Sequence, residues 1–196
     1  MPTKRRIWHE SAAYHVTVRG NRKEDIFRSG LDSKYYLILL QEAIDYFTIE
    51  KQQSFEIACY CLMTNHVHLL IKTHNEAPGN FMGRINSMYT KYFNKKYEYT
   101  GHLFQGKYHS EIISTKEQFL EVSRYIHLNP VRARMVQKPE QYDKSSYRMF
   151  IGERKENIIN SEIILDLIRG TNKRSDYKKF VEAKMEEENQ KKIVTC

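Results

Sequence analysis

The sequence predicts an α+β fold of the ferredoxin-like, split βαβ type, in which helices pack on an antiparallel sheet. Two observations support this prediction. Segments with the alternation or the apolar runs of β-strands are separated by segments whose apolar residues recur at helical spacing. These segments follow one another as strand, helix, strand, strand, helix, strand, which is the order of a split βαβ unit.

Three strand segments lie in the first half of the chain. Residues 14–18 alternate and contain β-branched residues, and an Arg-Gly-Asn-Arg turn follows them. Residues 54–63 and residues 66–72 are apolar segments that only a short connection separates. We therefore expect these two strands to form an antiparallel hairpin.

Two helices are predicted beside these strands. Residues 32–50 have apolar positions at helical spacing, and Asp32 or Ser33 can cap this helix. Residues 78–97 repeat the pattern, with aromatic side chains on one side and basic side chains on the other. A cationic helix face is by itself usually only solvated, so this face is weak evidence for a function.

A glycine-punctuated basic loop, residues 101–109, leads into a fourth strand near residues 110–113. Glycines allow a backbone to approach a ligand closely. Ser114 or Thr115, with Glu117 or Gln118 three residues later, then forms a capping-box pattern, which opens a helix over residues 116–128. We expect Pro130 to end this helix, because proline disfavours helical continuation.

The chain divides into a predicted sheet domain, residues 1–152, and a helical C-terminal extension, residues 153–196. The sequence becomes more polar beyond Val136. Within the extension, residues 158–168 predict a short helix and residues 176–192 a charged amphipathic one.

Composition limits the possible functions. The chain has 196 residues, with 32 Lys and Arg against 24 Asp and Glu, a formal net charge of +8. This surplus suggests a polyanionic partner, most simply nucleic acid. An apolar fraction of 40% can form a core, and three cysteines are too few for a disulfide framework. No segment has the roughly 18 apolar residues that span a membrane, so we expect a cytoplasmic protein.

Two histidines in the third strand form a candidate metal site. His66 and His68 are two residues apart, so in a strand they project from the same face while Val67 points the other way. Two imidazoles on one face can hold a divalent metal ion. The alternative is a half-buried strand with two hydrogen-bonded histidines, and this segment alone does not decide between them.

A tyrosine on the predicted helix 116–128 is the second candidate. Glu121, Tyr125 and Asn129 are four residues apart and lie on one stripe. A tyrosine hydroxyl is a weak nucleophile unless it is activated, and a nearby cation stabilises the phenolate and polarises a phosphate oxygen. A histidine pair with a tyrosine is therefore consistent with phosphoryl transfer. The alternative is an ordinary semi-buried tyrosine, one of 14 in the chain.

Several blocks of the sequence together resemble a known family. They are YCLMTNHVHLL at 60–70, RYIHLNPVRA at 124–133, YHVT at 14–17 with RGN at 19–21, GHLFQG at 101–106 and SSY at 145–147. In their order along the chain, these blocks resemble the HUH-superfamily single-tyrosine transposases of the IS200-like family, most closely the branch of the REP-associated tyrosine transposases. The resemblance extends from about residue 6 to residue 152.

This resemblance implies both the fold and the site. It implies a ferredoxin-like α+β domain in which His66 and His68 bind the metal and Tyr125 is the nucleophile. Asn129 lies where relatives place an amide that helps to hold the metal, which would be Mg²⁺ or Mn²⁺. The family often has a proline where this chain has Thr64. We expect this difference to alter only the turn.

The resemblance also implies the reaction and its partners. The tyrosine attacks a phosphodiester of single-stranded DNA that carries imperfect hairpins, forms a 5′-phosphotyrosine and releases a 3′-hydroxyl, which later reverses the step. No nucleotide cofactor is needed, and the sequence contains no P-loop. Basic side chains are candidates for phosphate contacts only as a group. These are Lys4, Arg5, Arg6, Arg19, Arg22, Lys107, Arg132 and Arg134.

Two other functions remain open at this point. One is a domesticated relative that binds structured DNA or RNA without catalysis. The other is a replication or mobilisation nuclease on the same scaffold, although 196 residues leave no room for the helicase or primase regions that usually accompany it. We expect a monomer or a homodimer, bacterial, cytoplasmic and associated with the nucleoid.

Overall fold

A computed structural model describes residues 8–52 and 55–194. Its centre is a four-stranded sheet in the order β2-β3-β1-β4, in which every neighbouring pair is antiparallel. The strands are β1 (Ala13–Arg19), β2 (Phe55–Met63), β3 (His66–Thr73) and β4 (His109–Ile113). Because β3 lies between β1 and β2 and runs opposite to both, those two strands are parallel. This is the split βαβ arrangement, and the predicted fold class is confirmed.

Six helices accompany the sheet in the part of the chain that the structure describes. They are α1 (Gly30–Lys51), α2 (Pro78–Tyr97), α3 (Lys116–Arg132), α4 (Tyr147–Phe150), α5 (Glu162–Leu165) and α6 (Lys173–Val194). Short 3₁₀ turns lie at Asn21–Lys23 and Pro139–Gln141. The helix predicted over residues 158–168 is only the single turn of α5. None of the described helices is long and apolar enough to cross a membrane.

The first helix begins earlier than the sequence indicates. Its N-cap is Ser29, and Asp32, one of the two expected caps, instead lies in the first turn. There the Asp32 carboxylate accepts a hydrogen bond of 2.7 Å from the backbone N–H of Ser29. An acidic side chain three residues after the N-cap accepts a hydrogen bond from a backbone N–H that would otherwise be unpaired. The predicted cap was therefore wrong by one turn.

The third helix also differs from expectation, because it does not end at Pro130. It continues through this proline to Arg132. A proline in the last turn costs one backbone hydrogen bond, and the end of the helix is closed by bonds from Ala133 N to Asn129 O and from Met135 N to Pro130 O, both 2.9 Å. The extra turn places Arg132 on the same helix face as Tyr125.

The part of the apolar core that α1 and α2 cover lies on one face of the sheet. The residues of β1 and β3 that point to it are buried: Val16, Val18, Val67, Leu69 and Ile71. Helices α1 and α2 pack against each other, and Phe47 of α1 and Phe81 of α2 meet Phe55 of β2 with ring centroids 5.2 and 4.6 Å away. Full burial of each such ring stabilises the fold by up to about 3 kcal/mol.

The C-terminal half covers the outer edge of β2. Leu62 N donates to Lys144 O at 2.9 Å, and Asn160 N donates to Ile57 O at 2.9 Å. These bonds satisfy backbone groups that a free edge strand would expose to other chains. Residues after 152 therefore pack directly on the sheet domain, and α6 packs on α3.

Candidate active site

The second face of the sheet is polar where β1 and β3 pair. Thr17 lies opposite His68, and Arg19 lies opposite His66. Cross-strand partners share a face, as do residues two apart in a strand, so His15 belongs to the same group. The alternation in these two strands thus places apolar side chains in the core and five polar side chains on the opposite face.

Neighbouring side chains contact Nδ1 of both His66 and His68. The ring centroids of His66 and His68 are 4.8 Å apart. Nδ1 of His68 lies 2.9 Å from Nε2 of His15 and 3.3 Å from Oγ1 of Thr17, and Nδ1 of His66 lies 2.6 Å from Oδ1 of Asn65. These contacts leave Nε2 of each ring as the nitrogen for a ligand.

Both imidazoles are neutral at neutral pH. Burial lowers the pKa of His66 to about 4, and the charge of Arg19 acts in the same direction. Burial also lowers the pKa of His68 to about 2, with smaller contributions from His66 and His15. A neutral imidazole is the form that binds a metal ion, so the environment keeps both rings in the ligating state.

The turn before the histidines is anchored to the end of β1. Gly20 N donates to Asn65 O at 2.8 Å, and the amide of Asn65 donates to Lys23 O at 3.1 Å. A Cβ at Gly20 would lie 2.2 Å from Glu24 O, so only glycine allows this approach. The Thr64-Asn65 connection forms a two-residue hairpin turn that leaves both histidines on the polar face.

Tyr125 of α3 faces the histidines across a cleft. Its ring centroid lies 5.7 Å from that of His68 and 5.9 Å from that of His15, both edge to face. Tyr125 is 40% exposed and lines the cleft. Helix α3 holds this position because the Thr115 side chain caps it by accepting a 3.1 Å hydrogen bond from Gln118 N, as the capping pattern predicts.

Two further predicted residues contact Tyr125. The amide of Asn129 donates to Tyr125 O at 3.0 Å, and the guanidinium carbon of Arg132 lies 5.0 Å from the centre of the Tyr125 ring. Arg132 is also paired with Glu188 of α6, with 2.6 Å between Nη2 and Oε1. The asparagine amide therefore contacts the Tyr125 backbone, and the guanidinium contacts its ring.

The cleft between β1, β4 and α3 has a volume of about 660 Å³ and contains several polar side chains. Its lining is His15, Thr17, Arg19, His68, Gln105, Lys107, His109, Glu111, Val122 and Tyr125. The loop of residues 101–109 reaches it because Gln105 N donates to Arg19 O at 2.9 Å. His66 and Asn129 are not part of this lining, and they adjoin it through His68 and Tyr125.

The other predicted DNA-binding residues are dispersed. Arg19 and Lys107 line the cleft, whereas Arg134 lines a separate cleft between the end of α3 and α6. Arg22 is exposed on the turn after β1. Lys4, Arg5 and Arg6 lie outside the described residues.

His15 and Thr17 are functional candidates that the sequence argument did not assign. His15 contacts both His68 and Tyr125. The alternation of β1 could have placed His15, Thr17 and Arg19 on one face. Only the pairing register shows that this face is the face of the histidine pair. His127, by contrast, is buried and bonded at both nitrogens, to Tyr177 at 2.8 Å and Ser146 at 2.9 Å, which is a structural role.

The side chains of this site can supply some, but not all, of the ligands of a divalent metal ion. Among residues 8–52 and 55–194, no group of three or more His, Cys, Asp or Glu side chains is arranged to hold a metal. His66 and His68 supply two nitrogens whose opposite ring atoms are fixed by neighbours, as metal-ligating histidines usually are. The remaining ligands of Mg²⁺ or Mn²⁺ would be an amide oxygen, water and phosphate oxygens, which both ions accept.

The histidine pair, the exposed helical tyrosine and the basic side chains of the cleft are residues for which the sequence resemblance implies a function. Comparison with known families identifies the class of protein to which the chain belongs. Residues 9–129 match the family described as "Transposase IS200 like". The chain belongs to the IS200-like transposase family.

One solved structure shows the same fold. The structure of a REP-associated tyrosine transposase bound to a REP hairpin is 21% identical, covers 82% of this chain and 94% of its own, and superposes with a TM-score of 0.56. A crystal structure from Deinococcus radiodurans R1 is 14% identical over 64% of this chain and 95% of its own, with a TM-score of 0.43. No protein of curated function matches the chain.

Proposed function

We propose that this protein is a metal-dependent tyrosine transposase of the REP-associated branch, which cleaves and rejoins hairpin-bearing single-stranded DNA through a 5′-phosphotyrosine. One observation carries the proposal. The exposed Tyr125 ring lies 5.7 Å from the ring of His68, whose Nδ1 is held by His15 and Thr17. A nucleophile and a candidate metal ligand thus meet in one cleft, on elements that are 57 residues apart in sequence.

The proposed step is a transesterification. The Tyr125 oxygen attacks a backbone phosphorus and forms a phosphotyrosyl ester, while the bond from phosphorus to the 3′-oxygen of the preceding nucleotide breaks. The phenolic proton passes to water, and the departing 3′-oxygen takes up a proton from water and becomes a hydroxyl. One phosphoester replaces another, so the energy for rejoining stays in the covalent link and no nucleotide triphosphate is required.

The residues around the tyrosine have separate proposed roles. His66 and His68, with the Asn129 amide oxygen, would hold Mg²⁺ or Mn²⁺. When bound, this ion neutralises charge on the scissile phosphate. The amide nitrogen of Asn129 donates to the backbone oxygen of Tyr125 at 3.0 Å, so the amide oxygen is the atom that would serve as a ligand.

DNA binding is proposed for the cationic cleft. Arg19 and Lys107 line it beside the histidine pair, and phosphate contacts of this type fix the register of a strand without reading its sequence. The relative that shares this fold is bound to a REP hairpin. We extend that substrate class, a hairpin with a single-stranded flank, to this protein.

The test is formation of a covalent adduct. Full-length protein is incubated with hairpin oligonucleotides that carry single-stranded flanks, drawn from the DNA around its gene, in the presence of Mn²⁺, and the adduct is resolved on denaturing gels. We expect an adduct with wild-type protein and a loss of about 10⁴-fold or more with Tyr125→Phe. Tyr99→Phe, a partly buried tyrosine bonded to Glu24, is the matched control and should retain the adduct.

Metal removal and the ligand variants complete this experiment. EDTA should abolish the adduct, and His66→Ala and His68→Ala should each reduce it by about a hundredfold or more while the protein stays folded. An adduct that persists in Tyr125→Phe contradicts the assigned nucleophile. DNA binding that EDTA does not change, together with no adduct on any hairpin, would instead favour a non-catalytic nucleic-acid-binding protein.

A further inference from the structure

The C-terminal helix α6 reaches the tyrosine through one ion pair. Glu188 of α6 pairs with Arg132 at the end of α3 through two contacts, Nε to Oε2 at 3.1 Å and Nη2 to Oε1 at 2.6 Å. The same guanidinium lies 5.0 Å from the centre of the Tyr125 ring. These contacts form a continuous chain from α6 to the candidate nucleophile.

We infer that Glu188 is a positioning residue, which holds the Arg132 guanidinium over Tyr125, and that α6 thereby forms part of the active centre. This inference rests on the proposed function and extends it to a segment outside the family match, which ends at Asn129. Arg132 is thereby assigned to the nucleophile rather than to general binding of the DNA backbone.

The Arg132 side chain needs a partner to keep its guanidinium over the Tyr125 ring. Arg132 follows Tyr125 by seven residues, two helical turns, and long helical side chains lean toward the N-terminus of their helix. The guanidinium can therefore cover the ring, but arginine has several rotatable bonds and many competing rotamers. Two parallel bonds to one carboxylate select the rotamer that the structure shows.

The Arg132 guanidinium would favour the proposed attack by Tyr125. A guanidinium over an aromatic ring is attracted to its π-electrons. When the tyrosine loses its proton, negative charge spreads into the ring, and the attraction increases. The pair also limits rotation of the ring, which keeps the oxygen aimed at one position. Both effects act on the rate of attack and not on the affinity for DNA.

Other contacts between α6 and α3 do not make this connection. The Tyr177 hydroxyl lies between His127 and Ser123 in the buried interior, and Arg124 lies over the Phe180 ring at 4.1 Å. These contacts dock the helix. The Arg132 and Glu188 side chains are 29% and 28% exposed, so solvent partly screens this pair. We therefore expect its alteration to preserve docking, which the buried contacts of Tyr177 maintain.

The experiment measures adduct formation by full-length variants with a hairpin oligonucleotide that gives the wild-type adduct. Glu188→Gln should reduce the single-turnover rate at saturating oligonucleotide by about tenfold to a hundredfold, with the oligonucleotide Kd changed less than twofold. Glu187→Gln is the matched control, because it breaks the neighbouring pair with Lys184 at 2.8 Å and should leave the rate unchanged.

A charge swap separates positioning from structural support. The double variant Arg132→Glu with Glu188→Arg keeps an ion pair between the helices but places a carboxylate beside the tyrosine. We expect its thermal unfolding midpoint to match that of the wild type, while the adduct stays reduced at least a hundredfold. If the swap restores the adduct rate, or if Glu188→Gln behaves as Glu187→Gln does, the inference is wrong. If the wild type forms no adduct with any hairpin, the proposed function itself fails and this inference falls with it.

Discussion

The two faces of the four-stranded sheet differ although alternate residues of the same strands form them. On one face Val67, Leu69 and Val16 are completely buried under α1 and α2. On the other, His15 and His68 border an open cleft with Tyr125. The closed face is held by the hydrophobic effect, which depends on the buried apolar area and has no preferred direction. The open face depends on hydrogen bonds that fix particular ring nitrogens, so the faces should respond to mutation in different ways.

Helix α3 repeats the same contrast. Its buried side presents His127, bonded at both nitrogens to Tyr177 and Ser146. Its exposed side presents Tyr125, whose described contacts are with rings, one guanidinium and the helix backbone. A buried polar group with hydrogen-bond partners for all its polar atoms stabilises a fold. A polar group that the protein contacts on one side only can still bind a ligand on the other.

The largest effect should come from the closed face. Phe81→Ala removes a fully buried ring that stacks on Phe55 at 4.6 Å, and we expect the free energy of unfolding to fall by about 3–5 kcal/mol. Chemical denaturation measures this loss, with Phe81→Leu as the milder control at about 1.5 kcal/mol or less. Mn²⁺ affinity of the folded protein should not change. A change in that affinity would show that the faces are not independent.

On the open face, His15→Ala should weaken metal binding without much effect on stability. It removes the 2.9 Å contact to Nδ1 of His68, and loss of such an orienting partner typically costs 10- to 100-fold in metal affinity, as an order of magnitude. Electron paramagnetic resonance of free Mn²⁺, without DNA, measures it. His74→Gln, which breaks a pair with Glu56 outside the cleft, is the control. Equal affinities for both variants would contradict an orienting role.

The buried side of α3 predicts a pH dependence of stability. Burial lowers the pKa of His127 from 6.5 to about 3. Between these values the unfolded chain binds a proton that the folded protein does not, so stability falls as the pH falls from about 6.5 toward 3. This histidine contributes at most about 1.4 kcal/mol per pH unit. Denaturation of wild type and His127→Gln at pH 7 and pH 5 should show a shallower loss in the variant. The exposed control His102→Gln should keep the wild-type slope, and equal slopes for all three proteins would refute the prediction.

The smallest effect should come from the cationic lining. Lys107→Gln removes one exposed charge from the cleft, and we expect oligonucleotide affinity to fall several-fold, uniformly across sequences, with a salt slope smaller by about 1. Fluorescence anisotropy at several salt concentrations measures both. Lys34→Gln, exposed on α1, is the control. If both lysines have the same effect, the charge of the whole protein and not the cleft governs binding.

The sequence by itself determined the element order and the residue types of the site. The hairpin of β2 and β3 and a cap at Ser114 or Thr115 follow from local rules, because alternation, turn length and capping depend on near neighbours only. For the same reason His66 and His68 could be placed on one face, and Tyr125 and Asn129 on one helical stripe. The resemblance of several ordered blocks then pointed to the family, which the match over residues 9–129 establishes.

Only the tertiary structure decided what surrounds these residues. The register of β1 against β3 puts His15 and Thr17 beside His68, and register depends on pairing between distant segments. The passage of α3 through Pro130 brings Arg132 over Tyr125, and packing of α6 brings Glu188 to Arg132. Local preferences cannot specify such contacts, because their energies arise between side chains that are far apart in the chain and meet only when the core has formed.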